Sequence, residues 1–267
     1  MKKLLVSLFV LALFVCLVGC GSDEKKIIVG ATPAPHAEIL NSEAVQSYIK
    51  SKGYTLEVKV YQDYVTPNKA LNDGGIDANY FQHIPYLEEE IATKGYELSV
   101  AAKIHNEPLN LYGKEKKTEW NDTKVYIIND ASNVERAFKL LVANGLLTSY
   151  SVENFNAQHP VYESAIGVTV ECIDAGLLHQ KVSEGGYAVI PGNYALTAWG
   201  ANKAAEYKVF GESTDVAYPN IIAVRTEDLQ NEKIKVLVEA LSQPEVKKFI
   251  EDTYGPTVNY VFESLLK

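Results

Sequence analysis

The spacing of apolar positions changes repeatedly along the chain, and each change marks a new element. Ile27-Ile28-Val29-Gly30 is a compact apolar run that predicts a buried strand, and the proline-stiffened loop 31–35 follows it. From Ala37, the residues Leu40, Ala44, Val45, Tyr48 and Ile49 keep helical spacing until Lys52-Gly53 closes the element. Leu56, Val58 and Val60 then alternate with Thr55, Glu57 and Lys59, which predicts a strand with one face inward. Strand, helix and strand in this order imply a right-handed crossover within a mostly parallel sheet. A short helix from Thr66-Pro67 ends at Gly74-Gly75, and Ile76 begins a very short extended run. Pro85 suits the first turn of the next helix, where its missing N–H would be unpaired anyway, and Leu87, Ile91 and Ala92 carry that helix to Gly95.

Residues 98–104 and 109–112 read as extended segments split by His105-Asn106-Glu107-Pro108, and a charged, turn-like stretch over 114–124 marks a shift in composition. A strand is expected over 124–128. The helix after it carries a capping-box spacing at Ser132 and Glu135, with Val134, Ala137, Phe138, Leu141 and Val142 on one face until Asn144-Gly145. Further strands are expected over 166–171, 187–190, 207–210 and 220–224, with a helical turn or more over 193–199. After these only helical pattern remains, over 231–241 and 244–254. The alternation predicts an α/β protein built as two lobes around a ligand cleft. Residues 27–108 plus 219–267 form lobe 1, residues 109–218 form lobe 2, and the two chain crossings act as a hinge.

The N-terminus changes the picture by placing the protein. Met1-Lys2-Lys3 is a short basic start, and the apolar run from Leu4 to Val18 is shorter than the ~20 residues a bilayer needs, so residues 1–19 read as a signal peptide. The ending Leu17-Val18-Gly19-Cys20 looks like a lipobox, with Cys20 the lipidated first residue of the mature chain and 20–26 a short tether. The expected location is extracytoplasmic, anchored to the membrane through Cys20. Cys172 is then the one cysteine left, which excludes an intrachain disulfide, and it reads as a small core residue. The net charge of −9 becomes −11 once Lys2 and Lys3 leave with the signal. So acidic a chain is a poor partner for nucleic acid. A monomer is expected.

Candidate chemistry gathers at four stretches. Residues 77–86 mix Tyr80, Phe81 and Tyr86 with His83 and polar side chains, and read either as one wall of a ligand pocket or as core packing. Arg136 is one of two arginines, with Arg225, and falls near the start of a helix with Asn133 three residues earlier on the same side. Guanidinium, amide and free helix N–H groups together suit a bound carboxylate, whereas the alternative is a surface arginine paired with Glu135 or Asp130. Pro191-Gly192-Asn193-Tyr194 and Tyr218-Pro219-Asn220 are the other two stretches. Three of the four follow a strand, where ligands of α/β sheets sit. His83 and Asp77 form a nominal acid–base pair, but no nucleophile elbow, phosphate-binding loop, dinucleotide fingerprint or metal-ligand spacing accompanies them, so an enzyme is the weaker reading, with no cofactor and no metal expected.

The chain resembles the methionine-binding lipoprotein family of ABC importers, also called the NlpA lipoprotein family. The resemblance rests on Asp63-Tyr64-Val65-x-Pro67-Asn68-x-Ala70-Leu71, on Asp77-Ala78-Asn79 with Phe81-Gln82-His83-x-Pro85-Tyr86-Leu87, on Asn129-Asp130-Ala131-Ser132-Asn133-x-x-Arg136-Ala137, and on Gly192-Asn193-Tyr194-Ala195-Leu196. It implies a two-lobed, type II-like periplasmic-binding-protein fold that closes on an amino acid and delivers it to a membrane permease driven by an ATPase. Arg136 and Asn133 would hold the α-carboxylate, and Tyr64, Phe81, His83 and Tyr86 would surround the side chain. In the family two asparagines meet the α-amino group. Asn220 matches the second, while Pro191 stands at the first, with Asn193 nearby. That departure keeps open another apolar amino acid or a methionine-containing dipeptide as ligand.

Overall fold

The computed structural model describes residues 25–213 and 218–266, so the expected signal peptide and Cys20 lie outside the described residues. The chain opens with β1 (Lys26–Ala31), two short helices α1 (Glu38–Asn41) and α2 (Glu43–Ser51), and β2 (Thr55–Val60). One continuous helix was expected here, but Ser42 leaves helical geometry and its side chain accepts the Val45 N–H, capping a fresh start. Next come α3 (Thr66–Asn72), β3 (Ala78–His83), α4 (Ile84–Lys94), β4 (Leu98–Asn106) and β5 (Asn110–Tyr112). The extended run thus covers Ala78–His83 itself and does not stop at Ile76; all six residues of β3 are buried. Gly95 ends α4 with a left-handed φ of 72°, a conformation that costs a glycine nothing.

The middle of the chain supplies β6 (Lys124–Ile128), α5 (Ala131–Ala143), β7 (Ser149–Ser151), β8 (Val161–Glu163), β9 (Thr169–Ile173) and α6 (Ala175–Ser183). It continues through β10 (Tyr187–Ile190), α7 (Gly192–Tyr207) and β11 (Lys208–Gly211). After β12 (Pro219–Arg225) come α8 (Glu232–Leu241), α9 (Pro244–Tyr254) and a last strand, β13 (Asn259–Ser264). Helical pattern alone was expected at this end. The alternation of Tyr260 and Phe262 instead lets β13 pair antiparallel with β4 and cover its edge.

Two large sheets result, ordered β13-β4-β12-β3-β1-β2 and β11-β5-β10-β6-β9. The first is parallel only across β2, β1 and β3; β12 runs antiparallel between β3 and β4, so the sheet is mixed where a mostly parallel one was expected. The second is parallel across β10, β6 and β9 and antiparallel at β5 and β11. The chain passes from the first sheet to the second between Asn106 and Asn110, and returns between Gly211 and Pro219. Each sheet has its own apolar core: Ile27, Val29, Tyr80, Ile222 and Leu237 belong to one, and Leu111, Val125, Ile127, Phe138 and Val189 to another. Cys172 is unpaired and half-buried on β9, and burial pushes its thiol up to about 11. Among the described residues no helix is long and apolar enough to cross a membrane.

Candidate functional site

The ends of β3, β10 and β12, the start of α5 and α7, and the loop before α3 converge on one cavity. Its lining includes Tyr64, Phe81, His83, Tyr86, Asn133, Arg136, Asn193 and Asn220, so the structure brings together all eight side chains singled out in the sequence. Gln82, Glu107, Pro191 and Gly192 line it too. The room open to the centre of a water-sized sphere is about 20 Å³, enough for about one water.

One end of the cavity is aromatic. Tyr64, Phe81 and Tyr86 pack at centroid separations of 5.7, 5.7 and 6.0 Å, and Tyr194 lies 5.1 Å from Tyr64. These spacings fall in the range where tilted and edge-on rings attract. Tyr86 Oη donates to the Tyr64 carbonyl oxygen at 3.1 Å, which ties α4 to the loop before α3. Tyr64 Oη donates to Asn193 Oδ1 at 2.6 Å, which ties that loop to α7. Behind this wall, Asn68, Asn79 and Gln82 satisfy one another in a buried amide cluster at 2.7–3.0 Å, locking β3 to α3.

His83 joins the aromatic end to the polar one. Its Nδ1 accepts the Tyr86 N–H at 3.2 Å, so Nε2 carries the proton and donates to Asn133 Oδ1 at 3.0 Å. Burial, aided by the positive charge of Arg136, pushes its pKa down to about 3. The ring therefore enters the site neutral. Asp77 does not face it: the Asp77 carboxylate accepts the Ile28 N–H at 2.7 Å and sits 3.5 Å from Lys233, so the nominal acid–base pair is not assembled.

The polar end is built on α5. The expected cap at Ser132 is displaced: Asp130 is the N-cap, accepting the Asn133 N–H at 2.9 Å, because its carboxylate meets the positive end of the helix better than a hydroxyl two residues later. Arg136, in the second turn, is 5 % exposed, so it is not a surface arginine, and its partner is neither Glu135 nor Asp130. Its Nε and Nη2 donate to Glu212 Oε1 and Oε2 at 3.0 and 2.6 Å, its Nη2 also reaches the Glu107 carbonyl at 3.3 Å, and its Nη1 donates to Asn133 Oδ1 at 3.2 Å. The two-pronged edge of the guanidinium is thus taken internally, and Nη1 has the remaining N–H. Tyr218 lies over the guanidinium at 4.1 Å.

Beneath Asn220 sits a buried group of three, His36, His105 and Glu107, whose ligand atoms lie within 4.8 Å of one another. No metal-ligand spacing announced it: His105 and Glu107 come from the one stretch 105–108, and His36 from a separate segment far earlier in the chain. The imidazole nitrogens already have partners: His36 Nδ1 meets Thr32 Oγ1 at 2.8 Å and its Nε2 meets Asn220 Oδ1 at 2.9 Å, while His105 bonds Tyr80 Oη through Nδ1 and Glu107 Oε1 at 2.7 Å through Nε2. The donor set suits a hydrogen-bond chain better than a metal ion. Burial pushes His36 down to about 4 and His105 to about 3.

Sequence reasoning overlooked Glu107, Glu212 and the stacking of Tyr218. Glu107 had a faint signal, a polar stretch between two extended segments at a chain crossing; Glu212 had none, because its partner is 76 residues away.

A profile of the NlpA lipoprotein family matches residues 27–262. The chain is 37 % identical over 283 residues to the methionine-binding lipoprotein MetQ of Bacillus subtilis, covering 98 % of this chain and 100 % of that one. Among solved structures, a nutrient-binding protein from Burkholderia cenocepacia bound to methionine superposes with a TM-score of 0.79 at 31 % identity, covering 88 % of this chain and 100 % of that one. A periplasmic substrate-binding protein of an ABC transporter from Coxiella burnetii gives 0.78 at 28 % identity, with the same coverages.

Proposed function

We propose, from the premise that the chain belongs to the NlpA lipoprotein family, that it is the membrane-anchored substrate-binding lipoprotein of an ABC importer and binds methionine. The observation that carries this reading is the gathering of the eight candidate residues around one cavity with a ring-lined end and an arginine end. Tyr64, Phe81 and Tyr86 would enclose the thioether, whose polarisable sulfur gains from ring contacts. Arg136 Nη1, with the Asn133 Nδ2 amide turned from Asp130, would take the α-carboxylate, and Asn193 and Asn220 would flank the amino end. Because the cavity has room for about one water, its walls must part to admit an amino acid, and the two chain crossings between lobe 1 (27–108 and 219–267) and lobe 2 (109–218) would act as the hinge. The anchor would be the lipid on Cys20, which holds a monomer beside its permease and ATPase at the outer face of the membrane.

Calorimetric titration of the mature protein with both enantiomers of methionine tests this. One site of micromolar or tighter affinity is expected. A binding curve for another apolar amino acid or a methionine-containing dipeptide, with none for methionine, overturns the ligand but keeps the class. Pro191 is the residue that favours this second reading, since it lines the cavity with no side-chain hydrogen bond to offer.

A further inference from the structure

Among the residues lining the cavity, one is a cation and one a carboxylate: Arg136 and Glu107. His83 and the two histidines behind Asn220 are neutral for the reasons given above. Arg136 is answered by Glu212, so Glu107 is the lining acid with no cationic side chain bonded to it in the cavity. Its side chain is 5 % exposed. A buried ionised carboxylate is costly unless something compensates it.

We propose that Glu107 is the acceptor for the ligand's ammonium group, replacing the amide that Pro191 cannot supply. This rests on the amino-acid reading above and narrows it to ligands with a free, charged amino terminus. Three placements carry it. Gly192, next to Pro191, lies so close that a Cβ there would meet Glu107 Oε2 at 2.9 Å, so the carboxylate packs against the backbone at the start of α7 beside Pro191. Asn220, the other residue expected at the amino end, and Glu107 are bridged by one imidazole nitrogen, His36 Nε2, at 2.9 and 3.4 Å. Arg136 Nη2 reaches the backbone carbonyl of Glu107 at 3.3 Å and both side chains line the one cavity, so a cation and a carboxylate face the same ligand space, as the two charges of an α-amino acid require.

The plainer role for Glu107 is structural: it accepts from His105 Nε2 at 2.7 Å and from the Asn193 N–H at the start of α7. A carboxylate has about four acceptor sites, so these two bonds and the longer His36 Nε2 contact at 3.4 Å still leave one for an ammonium.

The test separates the two roles by pairing each ligand with its des-amino analogue. Wild-type protein is titrated with L-methionine and with 4-(methylthio)butanoate, and with leucine and 4-methylpentanoate. We expect the amino compound of the bound pair to win by at least about 100-fold, as for a buried charge left without its partner. In Glu107→Gln that preference should shrink at least about tenfold, through weaker binding of the amino compound with the analogue unchanged. Glu107→Asp, which keeps the charge, should retain most of the preference. A wild-type protein that binds acid and amino acid alike overturns the proposal without needing any variant. Equal losses for both ligands in Glu107→Gln assign Glu107 to the scaffold and also overturn it. Failure of methionine with success of leucine sinks the methionine reading alone, and the leucine pair then decides Glu107. If neither amino acid binds, both readings fall.

Discussion

The two ends of the cavity are held in different ways. At the aromatic end, neighbouring residues on β3 and α4 present Phe81 and Tyr86, and ring packing with Tyr64 fixes their positions. At the polar end, partners far along the chain complete the hydrogen bonds: Glu212 for Arg136 and Asn220 for His36. Apolar packing is tolerant and additive in area, whereas a buried polar network fails as a unit when one member is lost. Losses at the polar end should therefore be larger and less graded.

The largest expected effect is at Arg136. Arg136→Ala removes the cation and strands Glu212, and methionine affinity should fall by about 100-fold or more, read by calorimetry; equal binding would remove the carboxylate assignment. Acid sensitivity comes next. His36, His83 and His105 are held neutral in the fold, so the unfolded chain binds more protons below its ordinary histidine value of 6.5, and stability is full above that and lost as pH falls toward about 4 and 3. Glu107, whose carboxyl burial holds above its ordinary range, works in the opposite sense over the lower part of that window. The histidine uptake dominates between pH 7.5 and 5, so stability should fall by a few kcal/mol over that range, measured by urea denaturation at pH 7.5, 6 and 5. A flat profile would contradict the neutral imidazoles.

Phe81→Ala should cost about 1.5–3 kcal/mol of side-chain burial, a graded loss of methionine affinity of about 10- to 100-fold. Tyr86→Phe, which loses only the hydroxyl bond to Tyr64, should cost about 1 kcal/mol. Arg225 sharpens the contrast further. Its Nη1 donates to the carbonyls of Leu71 and Ile76 at 2.9 and 2.7 Å, and its Nη2 pairs with Asp228 at 2.6 Å, so it staples the turn ahead of β3. Arg225→Ala should lower the melting temperature by several degrees, about 1–3 kcal/mol, with ligand affinity unchanged.

The same contrast explains what could be read from sequence. The 77–86 part of the aromatic wall could be singled out because Phe81, His83 and Tyr86 fall within six residues, though as pocket wall or core alike, while Tyr64 came from the family resemblance; α5 was legible because its apolar face repeats locally. Arg136 and Asn133 were legible for the same local reason, being one turn apart on a helix. Glu212 was not, because the bond that defines its role closes a 76-residue gap. The cap of α5 was misplaced because Ser132 and Glu135 satisfy a local rule that the stronger acceptor Asp130 overrides. β13 was missed because a strand at a sheet edge is defined by its neighbour β4 as much as by its own alternation.

The internal pairing of Arg136 with Glu212 has a consequence for the order of folding and binding. The chain must collapse before it can enclose a ligand. A buried guanidinium with no counter-charge would cost several kcal/mol, a large part of the roughly 5–15 kcal/mol by which domains are stable. With Glu212 supplied by the chain itself, the guanidinium is neutralised before any ligand binds. Folding then does not wait on a ligand, and the guanidinium is already held in place when the first one arrives.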